Sequence, residues 1–95
     1  FFKELLVIFR KDLKKKFNSF NKALEERDLE SARIYIHAVV GGSVNLSLNE
    51  LTRQARVMED ALKRKEINNL NLEVEKMSKI IIKSDQLINE VISRL

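Results

Sequence analysis

A single histidine, His37, stands among the 95 residues, followed by Ala38-Val39-Val40-Gly41-Gly42-Ser43-Val44. An imidazole has an ordinary pKa of about 6.5, so its neutral form is a usable nucleophile at cellular pH without a dedicated base. The only two glycines follow four and five residues later, in a segment that otherwise reads as helix. Glycine costs a helix interior about 1 kcal/mol relative to alanine, so the pair asks for a reason. Residue i+4 lies one turn along the same helix face, where Gly41 leaves bare backbone beside the ring. A second protein can then press onto that face and reach the imidazole nitrogen, the access that phosphoryl acceptance requires.

No other residue pattern competes for chemistry. Cysteine is absent, which excludes disulfides and thiolate metal sites, and one histidine makes a zinc site implausible. There is no Gly-rich ATP loop, no Walker lysine and no recognisable acid pair. Gly41-Gly42-Ser43 does not meet the Gly-x-Ser-x-Gly pattern of a nucleophile elbow. The formal net charge is +4, with Lys11, Lys14, Lys15 and Lys16 crowded together. The neighbouring aromatics Phe9, Phe17 and Phe20 fall on an apolar stripe and cannot stack on bases, so the lysines read as a solvated face, with no nucleic acid partner. Apolar runs such as Ile80-Ile81-Ile82 are too short to span a bilayer, and no signal peptide is visible. The start at Phe1-Phe2 reads as a piece of a longer protein.

Four elements must position His37. Proline is absent and the composition is 44% hydrophobic and 34% charged, which points to a few long helices with short connections. In the first, Leu5 or Leu6, Phe9, Leu13, Phe17, Phe20 and Leu24 form one stripe ending near Glu26-Arg27. Asp28 is placed to cap the second, which buries Leu29, Ala32, Ile36, Val39 and Ser43. His37 is one position off that stripe and shares a face with Arg33, Val40, Gly41 and Val44. The two valines are expected to be exposed beside the ring as a docking patch. Asn49 is expected to cap a third helix with the stripe Leu51, Ala55, Met58 and Leu62. An asparagine within Lys65–Asn69 is expected to cap a fourth. That helix carries Leu70, Val74, Met77, Ile81, Ile88, Val91 and Leu95, a pattern broken only by Ser84. Residues 1–95 thus read as a single all-α domain, an antiparallel up-down-up-down four-helix bundle.

His37, Gly41, the small residues Gly42 and Ser43, the Asn45-Leu46 pair, and then Glu50-Leu51, Ala55 and Met58-Glu59 make a constellation. With Arg27-Asp28-Leu29-Glu30 leading into the histidine helix, the chain resembles the histidine-containing phosphotransfer (HPt) domains of bacterial and fungal phosphorelays. The resemblance covers nearly its whole length. Two departures stand out. Val40 replaces a lysine common three residues after the histidine, and Arg33 or, less directly, Arg56 could supply that charge. Ser47 stands where a turn glycine is usual, and a left-handed backbone there would cost serine about 1 kcal/mol. A slightly altered turn is the expectation.

The resemblance implies that His37 accepts a phosphoryl group from a receiver-domain aspartate and passes it to another receiver. Gly42 and Val44 would join Arg33, Val40, Gly41 and Arg56 in holding phosphoryl or partner. It also implies that the receiver supplies Mg²⁺, so that this domain carries no cofactor and should neither bind ATP nor phosphorylate itself. Sensor-kinase dimerisation hairpins usually follow their histidine with an acidic residue and a proline. Ala38 and the lack of proline argue against that reading, and a complete bundle suggests a monomer. The expected setting is cytoplasmic, as a module of a hybrid sensor kinase whose parent can be inner-membrane anchored. The alternative is a catalytically silent adaptor that binds a receiver without phosphotransfer, a reading motivated by Val40.

Overall fold

In the computed structural model, which describes residues 1–95, the apolar stripes form α1 (Phe2–Glu25), α2 (Leu29–Asn45), α3 (Asn49–Lys63) and α4 (Leu70–Arg94). Each helix touches its chain neighbours and α4 closes on α1, while diagonal pairs do not meet, so the four surround one core. His37 meets Glu59 and Ser43 meets Thr52, which sets α2 and α3 antiparallel. The short turns before α2 and α4 reverse the chain in the same way, and Arg10 links α1 to α4 through Asp85 and Asn89. The bundle is antiparallel throughout, 42 × 18 × 18 Å in extent.

Phe20, Ala32, Ile36, Ala55, Met58 and Met77 are fully enclosed at its centre. Of the Leu5–Leu6 pair it is Leu6 that is buried, and Ser84 is buried within its stripe. Leu95 is exposed, contrary to the expected stripe, because α2 and α3 have already ended where α4 runs out beside α1 alone.

All three helix ends preceding a turn close in the same way. The residue two past the C-cap donates its N–H back to the carbonyl five residues earlier: Asp28 to Ala23 at 2.8 Å, Leu48 to Ser43 at 3.0 Å and Glu66 to Ala61 at 2.9 Å. The residue between sits in left-handed backbone, Arg27 at φ 58, Ser47 at φ 57 and Lys65 at φ 58. These are Schellman closures built without glycine. The turn at Ser47 is therefore not altered; serine adopts the conformation a glycine would take.

In the first two turns the closing residue is also the N-cap of the next helix. Asp28 serves both, and its carboxylate accepts from the Ser31 N–H at 3.1 Å and the Ser31 hydroxyl at 2.7 Å. The Ser31 hydroxyl above all, with the backbone N–H, holds the Asp28 carboxyl below the usual carboxylate range. Leu48 occupies the equivalent place before α3 and has no side chain to cap with. Asn49 is the first residue of α3 and not its cap, because the turn is too short to leave it that position. Asn69 is the N-cap of α4, without a side-chain bond.

Candidate functional site

His37 lies near the middle of α2, with 70% of its side chain exposed. Its Nδ1 lies 2.6 Å from Glu59 Oε2 on α3, and the Glu59 side chain is only 9% exposed. A carboxylate can only accept, so this bond assigns the ring proton to Nδ1 and leaves the lone pair on Nε2. Nε2 is the nitrogen of the exposed ring that Glu59 does not engage. A buried acceptor thus fixes tautomer and ring orientation together.

Glu59 reaches the ring because of how α2 and α3 register. Thr52, Arg56, Glu59 and Lys63 recur every three or four residues along the edge of α3 that meets α2. At one rung the Ser43 and Thr52 hydroxyls are 2.8 Å apart, each within reach of a carbonyl of its own helix. Two helical turns on, the same edge brings Glu59 beside His37. Every enclosed side-chain polar atom has a partner. Glu59 belongs to the sequence constellation, but its pairing with His37 is a feature that the sequence reading does not contain. The available signal was a glutamate directly after Met58 of the apolar stripe, at the same offset as Thr52 after Leu51.

The face around the ring differs in part from expectation. Val44 is exposed as predicted, and Gly41 is open, with no atom within 4 Å of where a Cβ would stand. Val40, however, is only 9% exposed and belongs to the core. It turns toward α3, so α2, flanked on both sides, buries a wider stripe than one-sided periodicity suggests. Gly42 also leaves the patch: a Cβ there would lie 3.1 Å from Phe9 Cε1, so its bareness serves the packing of α1 on α2. Ile34, three residues before His37, is exposed and takes the place Val40 was expected to hold. An apolar residue off the buried stripe was its sequence signal. The accessible surface is therefore Ile34, His37, Gly41 and Val44.

Arg33 lies one turn before His37 and donates from Nη2 to Glu30 at 2.7 Å. This bond, reinforced by the charges of Glu30 and more distantly Glu59, raises the guanidinium pKa. Arg56 is exposed on α3, one turn before Glu59. Lys63, one turn after Glu59, lies 3.8 Å from Glu59 Oε2. No three His, Asp or Glu side chains come together in a way that could hold a metal ion. No helix is long and apolar enough to cross a membrane. The lysines of α1 are partly neutralised, with Lys16 on Asp12 and Lys14 3.5 Å from Asp85.

The arrangement is an exposed ring nitrogen, oriented by a buried carboxylate, on an apolar surface opened by one glycine, with cations nearby. Comparison with known proteins points the same way. The family model for the Hpt domain matches residues 4–95. The crystal structure of histidine-containing phosphotransfer protein B (HptB) from Pseudomonas aeruginosa PAO1 superposes with a TM-score of 0.93 at 24% identity, covering 98% of this chain and 81% of that one. The HPT domain of a sensor hybrid histidine kinase from Shewanella gives 0.80 at 23% identity, covering 98% and 80%. At such identities these structures establish the shared fold. No curated protein matches the chain.

Proposed function

This chain belongs to the Hpt family of phosphorelay phosphotransfer domains, and from that premise we propose that His37 is its phosphoacceptor. In this reading it takes a phosphoryl group from an aspartyl phosphate on a receiver domain and gives it to the aspartate of another. The observation that carries the proposal is the 2.6 Å contact between His37 Nδ1 and Glu59, which leaves Nε2 as the free nucleophile.

The lone pair on Nε2 forms the new N–P bond as the bond from phosphorus to the aspartate oxygen breaks. The aspartate leaves as a carboxylate with that electron pair. Nδ1 keeps its proton throughout, so no general base is needed, and positive charge developing on the ring meets the Glu59 carboxylate. Phosphoryl transfer is governed by positioning and charge neutralisation. A Mg²⁺ ion held by the receiver would supply charge neutralisation for the entering group, and this chain contributes an oriented nucleophile on a surface of Ile34, Gly41 and Val44. The same chemistry run backwards loads a second receiver.

The test is transfer of label from a phosphorylated receiver, scored as an acid-labile, base-stable phosphoprotein. His37→Ala is expected to accept no label while keeping helix content, with an unfolding midpoint lowered only as far as the buried Glu59 carboxylate suffers from losing its partner. Glu59→Gln keeps the shape but removes the anion. A hydrogen bond to a charged group contributes about 1.5–3 kcal/mol, less when exposed, so acceptance should slow about tenfold. Unimpaired labelling of folded His37→Ala would sink the proposal. Receiver binding without any label on the wild type would instead favour a silent adaptor.

A further inference from the structure

The edge of α3 that delivers Glu59 to His37 also delivers a cation. With His37 opposite Glu59 and Ser43 opposite Thr52, the antiparallel register places Lys63 opposite Arg33, one turn beyond the ring. Lys63 Nζ lies 3.8 Å from Glu59 Oε2, the oxygen that also holds the imidazole. That separation exceeds a hydrogen bond, so the ammonium is attracted to the site with its three N–H donors uncommitted to Glu59. About half of its side chain is exposed, and Glu59 is its one ion-pair partner.

The other cations are placed differently. Arg33 is already bound to Glu30 at 2.7 Å, and freeing it would break a charge-assisted bond. Arg56 makes no ion pair with Glu59. Position 40 on α2 holds a buried valine, so Arg33, already committed to Glu30, is the cation the histidine helix offers beside the ring.

We propose that Lys63 is the residue that neutralises the phosphoryl group on His37, supplying from α3 the charge that α2 lacks at Val40. The assignment rests on His37 being the phosphoacceptor. Glu59 keeps the ammonium beside the ring while the site is empty, and the flexible four-carbon stem carries it to the phosphoryl oxygens once Nε2 bears them. Lys63 makes and breaks no covalent bond; it contributes one positive charge and N–H donors. Two unit charges about 4 Å apart in water interact by about 1 kcal/mol, which corresponds to roughly fivefold in the transfer equilibrium.

The test can be made independent of any receiver. Phosphoramidate phosphorylates exposed histidine directly, and His37 is the only histidine of the chain. The readout is the ³¹P NMR midpoint at which the phosphoryl group changes from monoanion to dianion. A neighbouring cation favours the dianion, so Lys63→Gln should raise that midpoint by about half a pH unit. Lys63→Arg should restore most of the shift, which a purely structural role would not require. With a phosphorylated receiver as donor, Lys63→Gln should take up label about fivefold less at equilibrium. An unchanged midpoint in Lys63→Gln, or a larger shift in Arg33→Gln or Arg56→Gln, overturns the assignment. A shifted midpoint together with no transfer from any receiver would support Lys63 as the phosphoryl's cation and refute the relay reading alone.

Discussion

Gly41 and Gly42 are adjacent, yet an added methyl group would meet open space at one and the Phe9 ring at the other. Neither adopts a positive φ, so backbone freedom is not what either residue provides. At Gly41 nothing in the free domain repays the cost of glycine in a helix, which fits the proposed approach of a receiver to His37. Gly41→Ala should therefore raise unfolding stability by about 1 kcal/mol while slowing phosphoryl uptake from a receiver. Gly42→Ala gains the same helix propensity but must displace Phe9 by a few tenths of an ångström, so its net gain should be smaller or reversed. Urea unfolding of both variants, read beside transfer rates, checks the pair. A Gly41→Ala protein that is more stable and transfers at the wild-type rate would remove that glycine from the docking surface.

At the scale of elements, the three Schellman closures set where each helix stops and thereby the register between neighbours. Left-handed backbone costs a non-glycine residue about 1–2 kcal/mol, while glycine loses some of that advantage through greater freedom in the unfolded chain. Ser47→Gly should thus stabilise the domain by about 0.5–1 kcal/mol, seen as a higher denaturant midpoint with an unchanged slope. A lower midpoint would mean that the serine side chain contributes something the geometry does not show. These closures were hard to read because the usual sign of a left-handed residue is glycine, and Arg27 and Lys65 give no such sign. The helices themselves were legible, since i, i+3, i+4 periodicity is a local property that needs no knowledge of neighbours. Burial at the stripe's edge was not. The burial of Val40 and the packing of Gly42 on Phe9 are not legible because the sequence does not say on which sides of α2 the flanking helices lie. His37 and its place at the rim of the buried face were legible from spacing alone, whereas its bond to Glu59 depends on a register between helices 22 residues apart.

Over the whole molecule the helices are unequal: α1 and α4 have 24 and 25 residues, α2 and α3 only 17 and 15. With short turns on the other side, the excess extends past the α2–α3 turn, at the end where α1 begins and α4 ends. There Leu6 and Ile88 are buried outside the main core cluster. The α1–α4 seam is the loosest of the four, and Arg10 bridges it. Its Nε and Nη2 donate to the two Asp85 carboxylate oxygens at 2.7 and 3.1 Å, and Nη1 donates to Asn89 at 3.0 Å. The Arg10 bond above all, with the charges of Arg10 and Lys14, holds the Asp85 carboxyl below its ordinary range despite some desolvation. A carboxyl whose pKa is depressed on folding stabilises the fold above its unfolded pKa of about 3.9, and that contribution is lost as pH falls through the lower folded value. Asp85→Asn should therefore melt a few degrees below the wild type at neutral pH, with the gap constant down to about pH 5 and closing below about pH 4. Added salt should narrow the neutral-pH gap, because the pair is partly exposed. Phosphoryl uptake at His37 should be unaffected, since Arg10 and Asp85 hold together the one seam that includes neither α2 nor α3. A gap that persists unchanged to pH 2 would show that asparagine perturbs packing at this position and that the ion pair is not what joins α1 to α4.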